Sequence, residues 1–107
     1  MINFAGGSGG NPVERPGNPC GAGLLQDLAG DYGKTSRVPT LWIYTENDKF
    51  WGSRYPKNWF EAFRGSGGVG EFVQHPPNGD DGHSLFTRAP ALWQPIVERF
   101  LAGVPQR

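Results

Sequence analysis

The chain has 107 residues, with ten basic and ten acidic side chains, two histidines and one cysteine. That length allows one domain at most, the balanced and scattered charge excludes a basic patch for nucleic acid or an anionic membrane, and a single cysteine excludes an internal disulfide framework. Seventeen glycines and ten prolines would suit disorder, but fourteen aromatics, four of them Trp, need a core to bury them.

Taken in chain order, Ile2-Asn3-Phe4-Ala5 reads as a short strand or the tail of one. Over residues 6–23 Gly and Pro occupy ten of 18 positions, which makes a loop, because the stretch has too much backbone freedom and too few donors for a helix or strand. Leu24, Leu25, Leu28, Ala29 and Tyr32 recur at helical spacing and predict a helix over 23–32, with Gly33 as the residue just past its end. Pro39 precedes Thr40-Leu41-Trp42-Ile43-Tyr44-Thr45, an apolar and β-branched run expected of a strand covered on both faces of a parallel sheet.

Pro56 can open a second helix that presents Trp59, Phe60 and Phe63 on one face and ends at Gly65-Ser66-Gly67-Gly68. Residues 71–75 alternate like a third strand, stopped by Pro76-Pro77. Leu92, Trp93, Ile96, Val97, Phe100 and Leu101 mark a last helix, and Pro95, tolerated only in a first turn, predicts its start at Ala91 or Leu92. Strand and helix thus alternate three times, the pattern of an α/β fold with three parallel strands and right-handed crossovers. No apolar run is long enough to span a membrane and no basic region leads the N-terminus, so a soluble, cytoplasmic chain is expected.

Reactive groups of an open parallel sheet gather beyond the carboxyl ends of its strands, where the loops converge on one crevice. Two loops qualify: Glu46-Asn47-Asp48-Lys49-Phe50-Trp51 after the second strand, and residues 76–84 after the third. They place Asp48 and His83 in the order acid then histidine, which suits a carboxylate orienting the imidazole of a general base. Alone, Asp48 would be a turn residue and His83 a solvated loop imidazole; their placement on consecutive loops favours chemistry.

His75, at a strand end, suits half-buried packing. Asp80 and Asp81 lie too close to His83 in sequence for the usual separate-loop geometry and suit a turn. Two histidines without Cys or carboxylate at ligand spacing make no metal centre, and Gly6 to Gly10 are not followed by the Lys-Ser/Thr pair of a phosphate loop, so neither metal nor cofactor is expected. For the nucleophile, Gly6-Gly7-Ser8-Gly9-Gly10 matches G-x-S-x-G, yet Pro12 and Pro16 forbid the helix that must follow an elbow. Cys20 has neither flanking glycines nor a preceding strand.

Ile2-Asn3-Phe4-Ala5-Gly6-Gly7, then residues 38–48 ending in Glu46-Asn47-Asp48, then Pro76-Pro77-Asn78-Gly79-Asp80-Asp81-Gly82-His83, and finally Trp93 and Phe100-Leu101 resemble the C-terminal part of dienelactone hydrolase-like α/β-hydrolases. The resemblance covers nearly the whole chain. It implies that residues 1–107 are the C-terminal portion of one α/β-hydrolase domain with an incomplete sheet, that Asp48 is the triad acid and that His83 is the triad base. It also implies that the Ser or Cys nucleophile and the oxyanion loop lie upstream of Met1, and that the family often has Arg where this chain has Ser8.

The implied reaction is attack on a small-molecule ester or lactone carbonyl, with Trp51 and Phe86 read as lining aromatics, and the chain alone inactive. The alternative is a non-catalytic module that docks on another chain, or on its own copy, through an uncovered sheet edge, or else a barely folded remnant.

Overall fold

The β-branched and aromatic run Thr40–Thr45 forms the central strand, β2, of the computed structural model, which describes residues 1–104. It pairs in parallel with β1 (Ile2–Phe4) on one side and β3 (Gly70–His75) on the other, giving the order β1-β2-β3. All six residues of β2 are buried, as its unbroken apolar pattern requires. Alternation along the strand divides them between two layers. Trp42 and Tyr44 meet helices α1 (Ala22–Thr35) and α2 (Tyr55–Gly65) in a cluster with Trp51, Trp59, Phe60 and Phe63. Leu41 and Ile43 face the opposite way, against Phe4, Val73 and the Ile96, Val97 and Phe100 side chains of a C-terminal helix.

Residues 6–21 form the expected loop, with only an isolated bridge between Asn11 and Arg15. Helix α1 does not stop before Gly33 as the sequence predicts; it runs on to Thr35. Gly33 is where α1 touches the backbone of α2: a Cβ there would collide with the Phe63 carbonyl oxygen and lie 2.9 Å from its carbon. The glycine serves close helix approach rather than termination, and the chain leaves the helix at the extended Ser36, ahead of Pro39. Replacing Gly33 with Ala gains about 1 kcal/mol of helix propensity but forces overpacking of about 2–3 kcal/mol. A net loss of about 1–2 kcal/mol is expected, read as a lower urea midpoint with the slope unchanged. A neutral or stabilised variant contradicts the close approach.

The C-terminal region holds more helices than the one expected. A 3₁₀ turn at Gly82–Ser84 leads into the short α3 (Leu85–Arg88), and α4 covers Pro90–Ala102. The Asp81 side chain accepts the His83 amide and starts the turn, while fully buried Leu85 anchors it. Ala89 is pushed to an extended φ of −137° by the proline after it, which separates α3 from α4. Pro90 then occupies the first helical position, where its missing N–H costs nothing, so α4 starts earlier than Ala91. Pro95 falls inside α4 on an exposed face and removes the bond its amide would make to the Ala91 carbonyl. No described helix is long and apolar enough to cross a membrane.

Candidate functional site

The three strands are parallel, so the loops after β2 and β3 leave the same end of the sheet. A turn closed by the Asp48 amide on the Thr45 carbonyl, 3.1 Å, brings Asp48 to the end of β2 with only 2% of its surface exposed. A carboxylate so buried needs partners, and it has three. Its Oδ1 accepts from the amides of Phe50, 2.7 Å, and Trp51, 2.9 Å, while its Oδ2 lies 2.9 Å from His83 Nδ1. The turn bonds and the bond to the imidazole therefore fall on different oxygens of one carboxylate.

His83 stands on the 3₁₀ turn, with its side chain 30% exposed. The Phe50 ring lies across the imidazole at 4.0 Å between centroids and the Trp51 ring meets it edge-on at 5.8 Å. The hydrogen bond to Asp48 holds the His83 pKa above the ordinary histidine value; partial burial opposes this, and the charges of Asp48 and then Asp81 add to the rise. With Nδ1 donating to Asp48, the neutral ring keeps its lone pair on Nε2, which bonds no other described residue. A base oriented in this way can take a proton from a hydroxyl or thiol placed at Nε2 and stabilise the resulting imidazolium.

Comparison of the chain with protein-family models, with curated proteins and with solved structures finds no match. The site thus stands on its geometry.

The other sequence candidates lie elsewhere or act differently. Ser8 is exposed and makes no hydrogen bond to His83 among the described residues. Cys20 is an exposed free thiol whose amide bonds the Gly9 carbonyl at 2.8 Å. Half-buried His75 directs its Nδ1 to the Pro76 carbonyl, 2.8 Å away. Of the two aromatics expected to line a pocket, Trp51 is buried against His83, whereas Phe86 stacks on Trp93 at 5.1 Å and touches Phe4. Among the described residues no three His, Cys, Asp or Glu side chains converge as a metal site needs.

Sequence reasoning passed over Phe50, which covers the imidazole, and Asn47, whose side chain reaches the opposite loop. Their position in the loop after the strongest strand was the available signal. A groove of about 580 Å³ lies elsewhere, between α1 and β1, lined by Leu25, Leu28 and Tyr32 of α1, Trp42 and Tyr44 of β2, and Ser8. Leu28 and Tyr32 are exposed there, and the buried Trp42 Nε1 finds no hydrogen-bond partner among the described residues. Neither Asp48 nor His83 lines this groove.

Proposed function

We propose that this chain supplies the acid and base of an α/β-hydrolase of the dienelactone hydrolase type, acting on small ester or lactone substrates, with the nucleophile on a segment upstream of Met1. The observation that carries the reading is the buried Asp48 bound to His83 Nδ1 at 2.9 Å, with the ring's other nitrogen turned to no described partner.

In this mechanism His83 Nε2 takes the proton of a Ser hydroxyl or Cys thiol as its oxygen or sulfur attacks the carbonyl carbon. Asp48 stabilises the imidazolium through Nδ1–H. The imidazolium then returns the proton to the departing alkoxide, leaving an acyl-enzyme, and a second cycle with water as the nucleophile releases the acid and restores the free Ser or Cys. Phe50 and Trp51 shield the pair from water, which strengthens the Asp48–His83 attraction.

The edge of the sheet supports an upstream nucleophile. Met1 and Ala5 direct their backbone groups to β2, through the Leu41 amide at 2.9 Å and the Ile43 carbonyl at 3.0 Å, so the alternating groups of Ile2 and Phe4 face outward. An added parallel strand fits that edge, and a helix following it fits the apolar groove beside α1. The same edge also suits docking on another chain or a second copy, which size-exclusion chromatography with light scattering tests: a clean monomer with a cooperative melt removes that reading.

The hydrolase reading is tested with a fluorophosphonate probe and a p-nitrophenyl ester. The chain alone is expected to form no adduct, and the chain extended through its upstream coding sequence is expected to label at a Ser or Cys, a reaction lost in His83→Ala. An adduct on Ser8 of the chain alone, abolished by Ser8→Ala, contradicts the upstream nucleophile. Labelling of the extended chain that survives His83→Ala contradicts the role of His83.

A further inference from the structure

Asp48 and His83 sit on loops 35 residues apart in sequence, and their side chains meet only if both backbones are held to a fraction of an ångström. Two side chains stitch the loops together. A single oxygen, Asp81 Oδ1, accepts from the Lys49 amide at 2.9 Å and from the His83 amide at 3.0 Å. Those amides belong to the peptides immediately after Asp48 and immediately before His83, so Asp81 closes a ring whose far side is the Asp48–His83 bond.

Asn47 crosses in the other direction: its Nδ2 donates to the Gly79 carbonyl at 2.9 Å, its Oδ1 accepts from the Asn78 amide at 3.0 Å, and its carbonyl accepts from the Gly82 amide at 3.2 Å. Ser84 Oγ donates to the Asp81 carbonyl at 2.8 Å and fixes the turn from its other end.

We propose that Asp81 is a positioning residue, acting by geometry rather than by charge, whose carboxylate oxygen clamps the Asp48 loop to the His83 turn and so sets the distance between the two reacting side chains. This rests on the Asp48–His83 reading above. The charged groups facing the imidazole are Asp48 and Asp81; Lys49 enters through its amide, and its side chain is exposed.

Three replacements separate geometry from charge. Asp81→Asn keeps an oxygen able to accept from both amides and removes the charge. Asp81→Glu keeps the charge and displaces the oxygen by a methylene. Asp81→Ala removes both. An NMR pH titration of His83, together with the low-field Nδ1–H proton, reads the pair directly, and tryptophan fluorescence checks that each variant folds. Asp81→Asn is expected to keep the Nδ1–H signal and most of the raised pKa. Asp81→Ala and Asp81→Glu are expected to lose the signal and return the pKa toward the ordinary histidine value.

Equal falls in Asp81→Asn and Asp81→Ala, with Asp81→Glu unchanged, would assign the effect to charge and overturn the proposal; so would an unchanged titration in Asp81→Ala. Should Asp81→Ala fail to fold, the opposed expectations for Asn and Glu still decide. Asp48→Asn in the same titration keeps the two claims apart. An unaltered His83 pKa there removes the pairing itself, whereas a lowered one beside an inert Asp81→Ala removes only the clamp.

Discussion

Asp48→Ala is expected to destabilise the chain by on the order of 3 kcal/mol, because it strands the Phe50 and Trp51 amides as well as His83. Asp48→Asn separates these effects. Its side-chain oxygen can still accept from both amides, so the loss should be only about 1 kcal/mol, but its NH₂ group then faces His83 Nδ1 and demands the opposite tautomer. If the chain works with an upstream nucleophile as proposed, the same change in the extended chain should lower kcat about 10⁴-fold, the loss that a wrong-tautomer imidazole brings to triad hydrolases.

The pH dependence follows from the raised His83 pKa. A group that binds its proton more tightly when folded contributes stability that is fully present below its unfolded pKa and lost as pH rises through its folded value. The urea midpoint of the wild-type chain should therefore fall on going from below to above the histidine range, with both measurements kept above the carboxylate range. That fall should disappear in Asp48→Ala. Equal stability of the Ala and Asn variants, or a pH slope that persists in Asp48→Ala, contradicts the assigned bonds.

Gly82→Ala should act on fold and site together. A Cβ at this buried glycine collides with Asn47 Oδ1 and the Thr45 methyl and lies 2.6 Å from Thr45 Cβ. Thr45 is itself 2% exposed at the end of β2 and has nowhere to move. The 3₁₀ turn gains little helix propensity from the change, so the cost should reach about 3 kcal/mol, the upper end of ordinary overpacking. The turn must shift to relieve the clash, and His83 moves with it. Urea unfolding and the His83 titration are expected to change in the same variant. Lost stability beside an intact His83 pKa would show that this turn does not aim the imidazole.

What could be read from the sequence depended on how far away the deciding contact lay. β2 was legible because burial on both faces leaves an unbroken apolar run, and α2 because Pro56 and a ring-bearing face mark it locally. Gly33 misleads because a glycine past a helix end and a glycine at a helix crossing look alike until Phe63 is in place. The 3₁₀ turn and α3 are too short to show a period, and only buried Leu85 explains them. At the candidate site, the meeting of Asp48 with His83 was legible from their positions after successive strands. Asp81 does cap a turn, as its local sequence indicates, but its second partner, the Lys49 amide, lies 32 residues away.

The most direct test of the Asp48–His83 assignment is the tautomer of neutral His83, read from long-range ¹H–¹⁵N correlations at a pH above its pKa. The wild-type ring should carry its proton on Nδ1, held by Asp48 and leaving Nε2 able to accept, and Asp48→Asn should move that proton to Nε2. A wild-type ring protonated at Nε2 would contradict the account, since that nitrogen could not take a proton from any nucleophile.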